Sequence, residues 1–173
     1  RDVEVLAGGF RTRDRAFEAL TKQIKQFPDV NPKHDPMARS VYAWEAEAIA
    51  PSFRDERMTR DQILAFVYRM CGDFQIDPPE VIFVKNCPFC YFNRCEKQRP
   101  IIIVGERAEF LNTALVLHEV AHLLTDLASP GIDNHGPIYM REFLRLLFTY
   151  TTFTMDDLRP SLRRHRIRYY APE

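Results

Sequence analysis

The spacing of apolar residues changes character twice along this chain. Val3 to Leu6 is a short strand-like run that stops at Gly8-Gly9, and Phe17, Leu20 and Ile24 then fall on one helical stripe. Pro28, Pro32 and Pro36 interrupt that pattern with a loop. Asp35-Pro36 has the make-up of a helix start, a capping carboxylate followed by Pro at the first helical position. Met37, Val41, Trp44 and Ala48 recur at helical spacing up to Pro51. Thr59 and Gln62 form a capping box ahead of Ile63, Phe66, Val67 and Met70, with Gly72 as the expected stop.

The period then shortens. Val81-Ile82-Phe83-Val84 and Ile101-Ile102-Ile103-Val104 are β-branched runs bounded by Pro, Asn and Gly, and they read as buried strands. The stretch Cys87 to Cys95 between them reads as a loop or as the short middle strand of a meander. Helical spacing returns after Asn112, which is expected to cap a helix reaching about Leu127 and ended by Ser129-Pro130-Gly131. A further helix is expected from about Pro137 to Tyr150. Asp156 is the expected cap of a last one, running into Arg163-Arg164-His165-Arg166. Helices, then a small sheet, then helices make an α+β pattern. The expected arrangement is a small antiparallel sheet packed on the helix after Asn112, with helices flanking it.

Composition adds bounds rather than a function. A chain of 173 residues suits one compact domain with a short extension, and 46% hydrophobic residues are enough for a core. Lys+Arg and Asp+Glu both number 24, so net charge selects no partner. No apolar run approaches the roughly 18 residues needed to cross a bilayer, so no membrane contact is expected. Nothing reads as a signal peptide. With Arg1 where a Met would stand, the compartment is left open, a cytoplasmic or virion-associated setting being favoured over secretion.

The chemistry concentrates at His118-Glu119-Val120-Ala121-His122, an H-E-x-x-H motif on an expected helix. Residues four apart share a helix face, so two imidazoles there can reach one tetrahedral ion at about 2.0–2.1 Å. Glu119 projects beside such an ion, where it can take a proton from an activated water. Ala114, Leu115, Val116, Leu117, Val120, Ala121, Leu123, Leu124 and Leu127 make this helix apolar nearly all round, hence buried. Buried histidines need partners, because each unpaired polar group costs about 1–3 kcal/mol. Zn2+ would partner both at once. The blander alternative is a pair of core histidines hydrogen-bonded to neighbours. A catalytic zinc needs a third protein ligand, and His135, in His135-Gly136-Pro137-Ile138-Tyr139, is the first choice. Glu142 and Asp126 are its competitors. His34 and His165 stand in polar surroundings and read as solvated.

His118-Glu-Val-Ala-His122 followed by His135-Gly-Pro-Ile-Tyr139 resembles the SprT-like (Spartan-type) metallopeptidases, over about residues 60 to 150. In that family a short sheet precedes the H-E-x-x-H helix and the trailing His is the third ligand. The resemblance therefore implies a zincin-like fold and a zinc site of His118, His122 and His135, with Glu119 catalytic. The pairing is also similar to metallopeptidases encoded by actinobacteria and their phages. The metzincin pattern fails, since Thr125 and Ala128 stand where its Gly and third His would be. The zinc ribbon that follows the domain in several SprT-like members is missing, and residues 1 to 55 match nothing in the family. The expected organisation is an N-terminal helical extension or docking arm (1–55), a zincin-like metallopeptidase domain (56–155) and a basic C-terminal helix or tail (156–173).

Two further features invite a function. Cys87-x-x-Cys90 with Cys95 and Cys71 could hold a second, structural metal; free thiols or one disulfide explain them equally well. The tail from Arg159 to Tyr170 mixes Arg with Tyr, which suits phosphate contact and base stacking, so DNA or nucleoprotein is a candidate partner. A solvated basic helix end is the plain alternative. Taken together, the sequence points to a zinc-dependent endopeptidase acting on a protein or peptide, with Tyr139 as a lesser candidate for binding the oxyanion. The rival is a phage, virion or assembly component that keeps the zinc site without turnover, its N-terminal arm docking on a partner.

Overall fold

A computed structural model describes residues 3–5, 35–85, 90–93, 99–106, 111–130 and 134–172. The chain is α+β and divides into two compact units, one of residues 1–29 and 57–112, the other of residues 30–56 and 113–173. The expected helix over Phe17 to Ile24 lies outside the described residues, as do His34, Cys87 and Cys95.

The first unit holds a four-stranded sheet of β1 (Val3–Val5), β2 (Glu80–Val84), β3 (Tyr91–Asn93) and β4 (Ile101–Gly105), in spatial order β1-β2-β4-β3. β2 and β4 run parallel, Glu80 facing Ile101 and Val84 facing Gly105. β1 and β3 flank them antiparallel. The expected antiparallel sheet is thus corrected to a mixed one, and the expected middle strand is an edge. The reason lies in the side chains. Val81–Val84 and Ile102–Val104 are buried without alternation, as suits central strands covered on both faces. A parallel pair also needs a long crossover, and residues 85–100, with β3 among them, supply it.

Helix α1 of the second unit, at Ala38–Trp44, lies between β1 and β2 in sequence; α2 (Arg60–Asp73) belongs to the first unit. The capping box of α2 forms as expected, Thr59 Oγ1 accepting from the Gln62 N–H at 3.2 Å and Gln62 Oε1 from the Thr59 N–H at 2.7 Å. Gly72, however, lies inside the helix. The stop falls at Gln75, which takes φ 54° while the Ile76 and Gln75 N–H groups close on the Cys71 and Gly72 carbonyls.

In the second unit α1 begins two residues after Pro36. Asp35 still serves as its cap, with Oδ1 accepting from the Ala38 N–H at 3.0 Å. The helix then widens into a π-helical turn over Glu45–Ile49 and a 3-10 turn over Ala50–Phe53. The extra residue in that turn moves the core position from the expected Ala48 to Ile49. α3 (Thr113–Ala128) and α4 (Pro137–Tyr150) pack together, burying Leu117, Val120, Ala121, Tyr139, Phe143 and Leu147. The first turn of α3 is closed by Glu56, whose carboxylate accepts from the Thr113 N–H and Oγ1 at 2.7 and 2.8 Å. Trp44 stands edge-on to Phe143 and donates its indole N–H to Ser161 Oγ at 3.0 Å. α5 (Met155–Arg164) is capped by Thr154, two residues before the expected Asp156, in a box with Asp157. No helix among the described residues is long and apolar enough to cross a membrane.

Candidate metal centre

All the groups of the H-E-x-x-H region and its partners lie in the second unit. His118 and His122 project one turn apart from α3, and His135 sits in the bend that leads through Gly136 into Pro137, the first residue of α4. Their ring nitrogens converge. His118 Nε2 stands 3.2 Å from His122 Nε2 and 3.5 Å from His135 Nε2, and one nitrogen from each residue lies within 4.8 Å of the others. Two ligand atoms at 2.0–2.1 Å from a tetrahedral ion stand about 3.3–3.4 Å apart. The three histidines are therefore spaced to hold a metal ion.

The opposite ring nitrogens are held by carboxylates. His118 Nδ1 meets Glu45 Oε1 and Oε2 at 2.9 and 3.1 Å, and His135 Nδ1 meets Asp35 Oδ2 at 2.5 Å. An ionised carboxylate only accepts, so each Nδ1 carries the proton and the lone pair of the neutral ring is left on Nε2. This is the way metal-binding histidines are commonly oriented. Tyr139, fully buried, adds its hydroxyl 2.8 Å from His118 Nδ1 and 3.4 Å from Glu45 Oε1. It thus braces the back of His118.

The electrostatics favour a cation. Burial pulls His118 down, but the charge and hydrogen bond of Glu45, with Glu119 and Asp35 behind them, overcome it and lift His118 to about 9. The same field that would hold a proton among the Nε2 atoms would hold a metal ion. Burial, then the neighbouring His118 and His135, push His122 well down, so its ring is neutral and ready to ligate. Glu119 is 3% exposed, and its Oε2 has no hydrogen-bond partner among the described residues. Burial raises its carboxyl to about 7, His118 opposing and Glu45 adding to the rise. An unpartnered buried carboxylate oxygen beside a ligand set is where an activated water would be received.

The competitors for the third ligand fall away. Glu142 is buried, but its oxygens face Arg141 at 2.7 Å and Arg145 at 3.5 Å. Asp126 is not in the converging group. Three contributors were not evident from sequence: Asp35, Glu45 and Tyr42. Tyr42 stacks its ring on His118 at 5.7 Å and sets its edge on His135 at 4.8 Å. Burial, then Glu119, Glu45 and Asp35, hold its phenol far above the usual value. Their common source is one helix and its entry turn.

The remaining candidates are placed apart. Cys71 is buried in α2, where burial lifts its thiol to about 11 against the pull of Arg99. Cys90 Sγ accepts from the Gly105 N–H at 3.1 Å. With Cys87 and Cys95 outside the described residues, the four-cysteine site is not assembled here. In the basic tail, Arg164 and His165 both bind Glu47, His165 at 2.7 Å, so His165 is paired rather than solvated. No protein-family model, curated protein or solved structure matches the chain.

Proposed function

We propose that this chain is a zinc-dependent endopeptidase of the SprT-like, zincin type, with His118, His122 and His135 as ligands and Glu119 as general base. The observation that carries the reading is the buried, unpartnered Glu119 oxygen, one residue from a ligand in a set of three converging imidazoles. A bound zinc would supply a Lewis acid for the scissile carbonyl and bring the pKa of a water to about 7. Glu119 would accept a proton from the attacking water as the water oxygen bonds to the carbonyl carbon. It then returns the proton to the amide nitrogen as the C–N bond breaks. Asp35 and Glu45 keep two of the imidazoles in the ligating tautomer and orientation throughout. The basic tail supports a DNA-associated protein as substrate through Arg163, Arg166 and Arg168, Arg164 being engaged with Glu47.

The test is Glu119→Gln. The amide cannot accept the proton, so cleavage should fall about 100- to 10,000-fold while zinc content and fold persist. Protein substrates should be offered with and without DNA. Equal behaviour of wild type and variant on every substrate, both retaining zinc, would instead favour the assembly component without turnover.

A further inference from the structure

We propose that the hydroxyl of Tyr42 donates a hydrogen bond to the scissile carbonyl oxygen as that oxygen gains negative charge, which makes Tyr42 a catalytic residue. This rests on the peptidase reading above. Two tyrosines lie against His118, and the structure treats them differently. Tyr139 is closed in behind the ring, with its hydroxyl engaged by Glu45 and His118. Tyr42 is 44% exposed, yet its ring is held by two ligand histidines, stacked at 16° on His118 and edge-on at 61° to His135. No hydrogen bond among the described residues engages its hydroxyl.

Helix geometry explains the pairing. Tyr42, in α1, and Glu45, which caps α1 and opens the π-helical turn with helical backbone angles, are three apart and share a face, so the segment that fixes His118 through Glu45 also lays Tyr42 over the same imidazole. A phenol whose ring is held against two of the three converging imidazoles, with its donor unspent, is suited to stabilise a developing oxyanion. The role transfers no proton. The phenol keeps its own, and the water proton passes through Glu119 to the leaving amine.

The experiment compares wild type, Tyr42→Phe and Tyr42→Ala in the full chain. Metal affinity is measured first, and the Phe variant should match wild type because the ring is kept. The cobalt-loaded proteins are then titrated with phenylphosphonate, a tetrahedral anion, and followed by the cobalt visible band. Tyr42→Phe should weaken phosphonate binding about tenfold or more. In peptide cleavage by the zinc form, it should lower kcat about 100- to 1000-fold with little change in KM. Three results overturn the proposal: a Phe variant that binds phosphonate like wild type, a loss seen only in the Ala variant, or a cobalt-loaded wild type that shows no response to phosphonate. A hydroxyl-dependent phosphonate site in a protein that cleaves nothing would remove the peptidase reading and with it the catalytic role of Tyr42, leaving an anion-binding hydroxyl only.

Discussion

At the residue scale, the three converging histidines were legible because their geometry is local. His118 and His122 are one helical turn apart, and His135 is followed by Gly136-Pro137, which starts α4 and turns the histidine back. Asp35 and Glu45 were not legible, since they lie 100 and 73 residues from the histidines they orient. No short-range pattern reports a carboxylate that acts over that separation. Sequence singled out Tyr139 and passed over Tyr42, because only packing decides which hydroxyl is engaged. The choice between His135 and Glu142 can be checked directly. His135→Ala should abolish tight zinc binding, whereas Glu142→Ala should leave it nearly intact and lower stability by about 1 kcal/mol or less, since the Arg141 and Arg145 side chains it pairs with reach solvent. Zinc titration against a chromophoric chelator reads the first effect and urea unfolding the second. Retained affinity in His135→Ala would transfer the third-ligand role elsewhere.

At the element scale, helix α1 does more for the site than its sequence suggests. Its apolar spacing predicts a plain amphipathic helix, but the π-helical turn begins at Glu45 itself. Such turns are frequent at functional sites, and nothing in residue composition marks this one. Glu45→Gln should therefore lower metal affinity about 10- to 100-fold without altering the ligand set, because the amide no longer fixes the His118 tautomer. An unchanged affinity would reduce Glu45 to a packing role. The sheet carried a readable clue in its unbroken apolar runs, which fit a buried parallel pair; direction of pairing is otherwise absent from short β-branched segments. The cap of α5 was misplaced by two residues, since Thr154, Asp156 and Asp157 are all capping types and only geometry selects among them. Thr154→Ala should cost about 0.5–2 kcal/mol in urea unfolding. The side-chain and then the backbone hydrogen bond from Thr154 hold Asp157 below its ordinary 3.8. Its contribution is thus present above that value and is lost as pH falls through the lower folded-state value. Asp157→Asn should flatten this acid limb of the stability profile; an unchanged limb would show that the box is silent.

At the scale of the whole molecule, the complete candidate site lies in one of two compact units, although that unit is assembled from two separated stretches of chain. The sheet belongs to the other unit, and none of the three converging histidines lies in it. Purified protein should carry about one zinc per chain at this site. Chelation should lower the melting of the ligand-bearing unit, since free metal at 100 times its dissociation constant stabilises by about 2.7 kcal/mol. Trp44 is the chain's one tryptophan and is buried against Phe143, so its fluorescence follows that unit alone. A tryptophan transition indifferent to chelator would remove metal from the account of its stability.

Asp35 has a double attachment whose effect reaches beyond either bond. One of its oxygens closes the start of α1 and the other grips His135. The order of the helix and the readiness of the ligand are consequently two readings of one equilibrium. Anything that loosens α1 at a distance must weaken the grip on metal by some factor, and metal must tighten α1 by the same factor. If the three histidines hold a metal, its affinity and the order of the start of α1 are linked through Asp35.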